Sequence, residues 1–162
     1  MTPPWMKYAR AKLGIRETPG AKHTPAIMAW AMNLGSKVLG IAYGADEIPW
    51  CGLFVAQVMA EAGFKSPPIA VRAKAWATWG DPAPAVEGAI LVFQRPGGGH
   101  VGFYAGETKT AFLVLGGNQG DAVTMAYIAK SRCVAIRWPK GYPVIGGTIA
   151  VNAAGPLSTN EA

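Results

Sequence analysis

The hydrophobic positions of the chain follow two periods, one in each half. In the first half they recur at three- and four-residue spacing, which is typical of helices that bury one face. Glycine residues stand where these patterns end, as expected for helix C-termini. The spacing predicts helices over residues 5–13, 25–35 and 50–62 and, less clearly, over 72–79.

Short β-rich runs separated by turn residues make up the second half. They cover residues 89–94, 100–107, 111–118, 122–129 and 133–139. Helices followed by an antiparallel meander predict an α+β fold rather than an alternating βαβ fold. Beyond residue 142 the composition changes to glycine, alanine and small polar residues. We therefore predict one domain over residues 1–142 and a flexible C-terminal tail over 143–162.

Composition narrows the functional class. Of the 162 residues, 51% are hydrophobic and 15% charged, which excludes disorder for most of the chain. No apolar run reaches the ~18 residues of a membrane span, so we expect no stable membrane insertion. The net charge of +6 favours anionic partners. Because the basic residues are scattered, a nucleic-acid partner is not expected. We also predict that the protein is a monomer.

Cys51 is the first candidate for chemistry. It falls in the first turn of the third predicted helix, directly after Pro49 and Trp50. Free backbone N–H groups and the helix dipole at that position favour the thiolate and can stabilise an oxyanion. Gly52 would leave the backbone open to a substrate. The alternative is an inert buried thiol, which is our interpretation of Cys133 in the last predicted strand.

His100 and Asn118 are the second and third candidates. His100 opens a predicted strand after three glycines, and Asn118 ends the next strand, 18 residues later. Pairing of these strands as a hairpin brings the start of the first beside the end of the second. Asn118 can then hydrogen-bond the imidazole and hold its orientation, as in Cys-His-Asn sites. Gln119 is the alternative for this role.

Three motifs carry a family resemblance. The segment PWCGLFVAQVMAEAGF resembles the nucleophile motif of the CHAP and NlpC/P60 cell-wall hydrolases. GGGHVGFYAG resembles their His-Val-Gly strand, and GGNQGDAV resembles the stretch that holds the third residue. The flanks EGAILVF and IRWP are similar to a small phage-associated group of CHAP-like amidases. The resemblance covers residues 5–139 and implies a papain-like fold, with the helices packed on the sheet.

The resemblance also implies an activity. Such enzymes cleave amide bonds of peptidoglycan, either between muramic acid and L-alanine or within the peptides. Cys51 would be the nucleophile that forms a thioester, and His100 would be the general base and then the acid. Asn118 would orient His100, although many CHAP members carry glutamate at the orienting position. No cofactor is implied. The expected route is synthesis in the cytoplasm without a signal peptide, then release to the wall by a phage or holin, or carriage on a virion.

Further residues are candidates for substrate binding. Aromatic faces of Trp50, Trp79 and Tyr104 can line a sugar or peptide groove, with core packing as the alternative. Asp46 and Gln119 are the polar candidates. Asp46 and its acidic neighbour fall short of the oxygen ligands that calcium takes, and no paired Cys or His spacing suggests zinc, so we predict no metal.

Two other functions are compatible with the same residues. One is a thiol hydrolase or transferase of this fold that acts on a protein or lipid, as a secreted effector does. The other is a catalytically inactive module that binds the cell wall. The net charge and the phage-like flanks favour a wall substrate over the first alternative, and the intact Cys51, His100 and Asn118 argue against the second.

Overall fold

The predicted helices form close to their predicted positions. The computed structural model describes residues 1–17, 25–39, 50–151 and 157–158. Within them, left-handed glycines stand where helical backbone ends: Gly14 (φ +93°) after the first helix, Gly35 (φ +80°) inside the second and Gly63 (φ +89°) after the third. The helices are α1 (Trp5–Ala11), α2 (Pro25–Leu39) and α3 (Cys51–Glu61), with 3₁₀ helices η1 (Ala73–Thr78) and η2 (Lys130–Arg132).

The strands form one antiparallel sheet, which makes the fold α+β as predicted. In the described residues the strands are β1 (Asp81–Pro82), β2 (Ile90–Arg95), β3 (Gly98–Glu107), β4 (Ala111–Gly116), β5 (Thr124–Ala129) and β6 (Cys133–Trp138). Their order is β1-β6-β2-β3-β4-β5. The meander is therefore confirmed for β2 to β5 only. The last strand leaves it and pairs with β2, with a register shift between Val92 and Phe93.

The sheet is strongly curled. Four residue steps lead from Ala129 in β5 to Cys133 in β6, and these span at most about 14 Å. In a flat sheet the two strands would stand four spacings apart, about 19 Å. Curling also brings together the rings of Phe93 in β2 and Phe112 in β4, at 6.4 Å, across the intervening β3. The face that carries these two rings is therefore the concave one.

Helix α3 packs on the convex face. Its residues are buried from Cys51 through Met59, because α1 and α2 cover the sides that the sheet leaves open. Phe54 meets Phe103 of β3 with ring centroids 6.0 Å apart. The position of Gly52 shows how closely α3 is packed, since a Cβ there would lie 2.3 Å from the Ala70 carbonyl oxygen.

Part of the predicted tail is hydrogen-bonded to the domain. The Glu107 amide donates to the Ile149 carbonyl (2.8 Å), and the Ile149 amide donates to the Tyr104 hydroxyl (3.1 Å). Further on, the Ser158 amide donates to the Tyr127 carbonyl (2.7 Å) at the outer edge strand β5. Open strand edges leave backbone groups without partners, and these segments satisfy some of them. The packed domain thus continues past residue 142.

A polar cluster secures this contact. The carboxylate of Glu107 accepts hydrogen bonds from the Tyr104 hydroxyl (2.7 Å) and the Lys130 ammonium (2.5 Å). The bond from Lys130 is the main cause that lowers the pKa of Glu107, and burial opposes it. Burial and the bond to Glu107 raise the pKa of Tyr104 to about 12. The tyrosine therefore stays protonated and donating through the neutral range.

Replacing Gly52 by alanine should destabilise the protein. The added methyl group would overlap a backbone carbonyl, which can move only with its segment, so we expect the free energy of unfolding to fall by about 3 kcal/mol. Urea denaturation measures it. Gly147→Ala is the matched control, because a Cβ there meets nothing within 4 Å. Equal stability of the two variants would contradict the close packing of α3.

Replacing Glu107 by glutamine should cost stability in a pH-dependent way. Because the folded-state pKa of Glu107 is lowered, its contribution is present above the unfolded-state pKa and is lost as pH falls through the folded value. We expect Glu107→Gln to lower the free energy of unfolding by about 1 kcal/mol at pH 7, and by clearly less at pH 3. Urea denaturation at both pH values checks this. An equal cost at both would show that the ion pair contributes nothing.

Candidate active site

Cys51 is the first residue of α3 and is 2% exposed. Trp50 is the N-cap residue of this helix, and among the described residues no side chain makes a capping hydrogen bond there. The first amides of a helix have no partner within the helix, so this end presents N–H groups beside the thiol. Gly52, predicted to leave the backbone open to a substrate, is instead covered by the backbone of Ala70 and Val71, since a Cβ there would lie 2.3 and 2.6 Å from their carbonyl oxygens.

His100 is fully buried on β3 and is held by Gln119. Its Nε2 atom lies 2.9 Å from the Gln119 Oε1 atom. The amide nitrogen of Gln119 donates to the carbonyls of Val114 (3.2 Å) and Thr124 (2.8 Å). Since carbonyls only accept, these bonds determine that the oxygen of the amide faces the ring. His100 must then carry a proton on Nε2, and in the neutral ring the lone pair is on Nδ1.

Gly116 makes room for this pair. A Cβ at residue 116 would lie 2.5 Å from the Gln119 Oε1 atom and 3.2 Å from the His100 Nε2 atom. The Gln119 side chain thus occupies the space that a side chain of residue 116 would fill. A larger residue at 116 would displace the amide or the ring.

The described hydrogen bond of the imidazole is with Gln119 and not with Asn118. Asn118 is buried in a left-handed turn (φ +58°). After this turn the backbone N–H of Gln119 donates to the Ala122 carbonyl (3.0 Å). The side chain of Gln119 then lies over β4, where it donates to the Val114 carbonyl. The structure therefore favours Gln119, the second choice of the sequence analysis, for the orienting contact.

The N-terminus of α3 and the imidazole lie at the same end of the sheet. A Cβ on Gly117 would stand 2.9 Å from the Trp50 ring and 2.6 Å from the Phe54 Cβ, while the preceding glycine borders His100. Alternation along β3 puts His100 on the concave face, because Phe103 is on the convex face against α3. A path from thiol to imidazole therefore runs around this end of the sheet.

The aromatic candidates differ from prediction. Trp50 is fully buried against Trp30, with ring centroids 6.3 Å apart, and so does not line an open groove. Tyr104 is also fully buried, because its ring belongs to the concave aromatic cluster and its hydroxyl binds Glu107 and Ile149. Both side chains have the core role that the sequence analysis gave as the alternative.

Trp79 is half-exposed and borders two surface grooves, of about 310 and 590 Å³. Its carbonyl accepts from Arg137 (2.6 Å), which pairs with Ile90 at the end of β2 away from Phe93 and His100. The structure thus does not bring Trp79 together with the His100 imidazole. Asp46 lies outside the described residues.

Cys133 is the other free cysteine, and it lies in a strand rather than at the start of a helix. It is half-buried in β6, where its Sγ atom donates to the Ala135 carbonyl (3.4 Å). Burial raises the pKa of the Cys133 thiol. A thiol held in that form is a poor nucleophile, in agreement with the interpretation from sequence.

No group of three or more His, Cys, Asp and Glu side chains that could hold a metal ion occurs in the described ranges. Among the helices that the structure describes, none combines the length and the apolar character needed to cross a membrane. In comparisons with known proteins, no family model matches the chain, and neither does any curated protein.

The tautomer of His100 is directly measurable. The chain holds two histidines, so long-range ¹H–¹⁵N NMR spectra at pH 8 should show two rings, and a His23→Ala variant identifies each. We expect His100 to be protonated on Nε2, because the Gln119 oxygen can only accept. In Gln119→Ala the other tautomer should become populated. A His100 ring protonated on Nδ1 in the unaltered protein would contradict the described pair.

Proposed function

We propose that the protein is a cysteine-dependent peptidoglycan hydrolase with a papain-like arrangement of its site. It would act as an N-acetylmuramoyl-L-alanine amidase or as an endopeptidase on the wall peptides. The observation that carries the proposal is the buried His100–Gln119 pair at the end of the sheet where α3 begins with Cys51. The resemblance of the three motifs to CHAP and NlpC/P60 enzymes supports the same conclusion.

The hydrogen bonds of the His100–Gln119 pair do more than satisfy two buried polar groups. Burying an imidazole and an amide together is costly unless their polar atoms are satisfied. Here the amide of Gln119 is held by two carbonyls so that one tautomer of His100 is selected. Selection of a tautomer has no benefit for packing. It matters where a ring nitrogen must accept and return a proton.

In the proposed reaction, the proton of the Cys51 thiol passes through a water around the end of the sheet to His100 Nδ1, while the sulfur attacks the carbonyl carbon of the amide. The amides of the first turn of α3 stabilise the oxyanion that forms. The imidazolium then protonates the leaving amine, which departs and leaves a thioester. Water, deprotonated by the same nitrogen, hydrolyses the thioester and regenerates the thiol. Gln119 keeps its bond to the Nε2 proton throughout.

The net charge of +6 supports a wall substrate, since the bacterial wall carries carboxylates and phosphates. The two alternatives remain distinct in their consequences. An enzyme that acts on protein or lipid would leave peptidoglycan intact, and an inactive module would bind the wall without releasing products. Digestion of peptidoglycan together with a wall-binding assay separates all three.

Replacing Cys51 by alanine should abolish turnover. Digests of purified peptidoglycan are analysed by mass spectrometry, and we expect Cys51→Ala to lose about four orders of magnitude in rate, because no other group can form the thioester. Cys133→Ala is the matched control and should keep wild-type activity. New L-alanine amino termini on intact glycan would identify an amidase, and new termini within the peptides an endopeptidase.

Three results would contradict the proposal. Full activity of Cys51→Ala would exclude the thiol mechanism. Binding of the wall by the unaltered protein without any product would favour the inactive module. A lack of both binding and products would favour a protein or lipid substrate.

A further inference from the structure

A basic groove of about 510 Å³ opens near the reaction site proposed above. It runs between the β2–β3 turn and η2. Two arginines and no carboxylate are among the described residues that line it, which are Gln94, Arg95, Pro96, Gly97, Ser131, Arg132 and Val134. A groove of this composition favours a negatively charged group.

Arg95 has an unsatisfied donor in this groove. Its Nε atom is buried, and no acceptor among the described residues reaches it. A buried N–H without a partner is costly, particularly on a charged group. The terminal nitrogens of Arg95 are not buried in this way, so an oxyanion in the groove can accept from them, and a small turn of the guanidinium would let it accept from Nε as well.

Arg132 is held in place by the backbone. Its Nε atom donates to the Gln94 carbonyl (3.0 Å), and one terminal nitrogen donates to the Ser158 carbonyl (3.4 Å). These bonds place a second guanidinium on the opposite wall of the groove from the β2–β3 turn. They lower the entropy cost of arranging two positive charges around one ligand.

The groove lies at the turn that leads into β3, the strand of His100. Arg95 pairs with Gly98 and Phe93 pairs with His100, so Arg95 and His100 project from the same face of the hairpin. The Arg95 guanidinium lies over Gly98, since a Cβ added to Gly98 would stand 3.8 Å from a terminal nitrogen of Arg95. His100 is two residue steps along β3 from Gly98, a distance of about 7 Å.

We infer that the groove between Arg95 and Arg132 is a subsite for a substrate oxyanion, held beside the imidazole. The inference rests on the proposed function for the nature of the substrate, which is a wall polymer. The oxyanion is either a carboxylate of the wall peptide or a phosphate of an attached polymer. Binding there would align the amide to be cleaved relative to His100.

The first experiment needs no catalysis. Acetate and inorganic phosphate are titrated separately into the protein, and the ¹H–¹⁵N signal of the Arg95 Nε–H group is followed by NMR. We expect that signal to shift and saturate with one of the two probes. In the variants, binding is followed by the backbone N–H signal of Gly97, which lines the groove. In Arg95→Gln the affinity should fall about tenfold, and in Arg95→Lys by a similar factor, because lysine lacks the paired donors.

Arg72→Gln is the matched control, since Arg72 is exposed, lies outside the groove and undergoes the same loss of charge. It should bind as the unaltered protein does. An Arg95 signal that moves with neither probe, or an equal loss of affinity in Arg72→Gln, would overturn the inference. Urea denaturation of each variant shows that a loss of binding is not a loss of folding.

The second experiment distinguishes the sources. Soluble muropeptides with free carboxylates are compared with their amidated forms and with phosphate-bearing wall fragments. If the ligand is the carboxylate, Arg95→Gln should lower kcat/KM about tenfold for the free acid only. If the ligand is the phosphate, the loss should appear only for the phosphate-bearing fragments. An equal change for all substrates would overturn the subsite. Absence of hydrolysis by the unaltered protein would count against the proposed function, while the titration would still decide the anion site.

Discussion

Two backbone carbonyls determine which ring nitrogen of the buried His100 carries the proton. Because Val114 and Thr124 accept from the amide nitrogen of Gln119, the amide oxygen has to face His100 and the ring has to carry its proton on Nε2. A side chain chosen for volume alone would not need this chain of bonds. The strands β4 and β5 thus supply both the walls of the core and the polarity of the candidate site.

The curl of the sheet makes that arrangement possible. It encloses Phe93, Tyr104 and Phe112 on the concave face, so His100 lies at one end of an apolar interior. On the convex face α3 packs so closely that Gly117 contacts Trp50 and Phe54 without a side chain of its own. The result is a sheet end only one backbone thick between the imidazole and the first turn of the helix.

Periodicity was sufficient to predict most of the elements from sequence. The helix from Cys51 ends before Gly63, and the strands with His100 and Ala111 form the predicted hairpin, because spacing and glycine position are local properties. The return of β6 to β2 was not predictable, since it depends on the curl of the whole sheet. The packing of Ile149 on β3 was missed for a related reason, because an open strand edge exists only in the folded sheet.

The choice between Asn118 and Gln119 shows where sequence reasoning ended at the candidate site. Both residues follow β4, and hairpin pairing brings either one near His100. The backbone decides between them, because the left-handed residue at 118 returns the chain so that the next side chain reaches over Gly116. The available signal in the sequence was Gly116, three positions before Gln119. It could be interpreted only after the structure showed that the two residues are in contact.

The basic groove and the histidine pair together suggest a direction for the substrate. Arg95 is the last residue of β2, and His100 lies on the same face of the neighbouring strand, so a chain held by its anion at the turn would pass over Gly98 toward the imidazole. The Arg95 guanidinium itself covers Gly98, so the bound anion would stand at the start of that path. The net positive charge attracts an anionic polymer to the surface in general, whereas the two oriented guanidiniums of the groove would determine which of its bonds is held near β3 and His100.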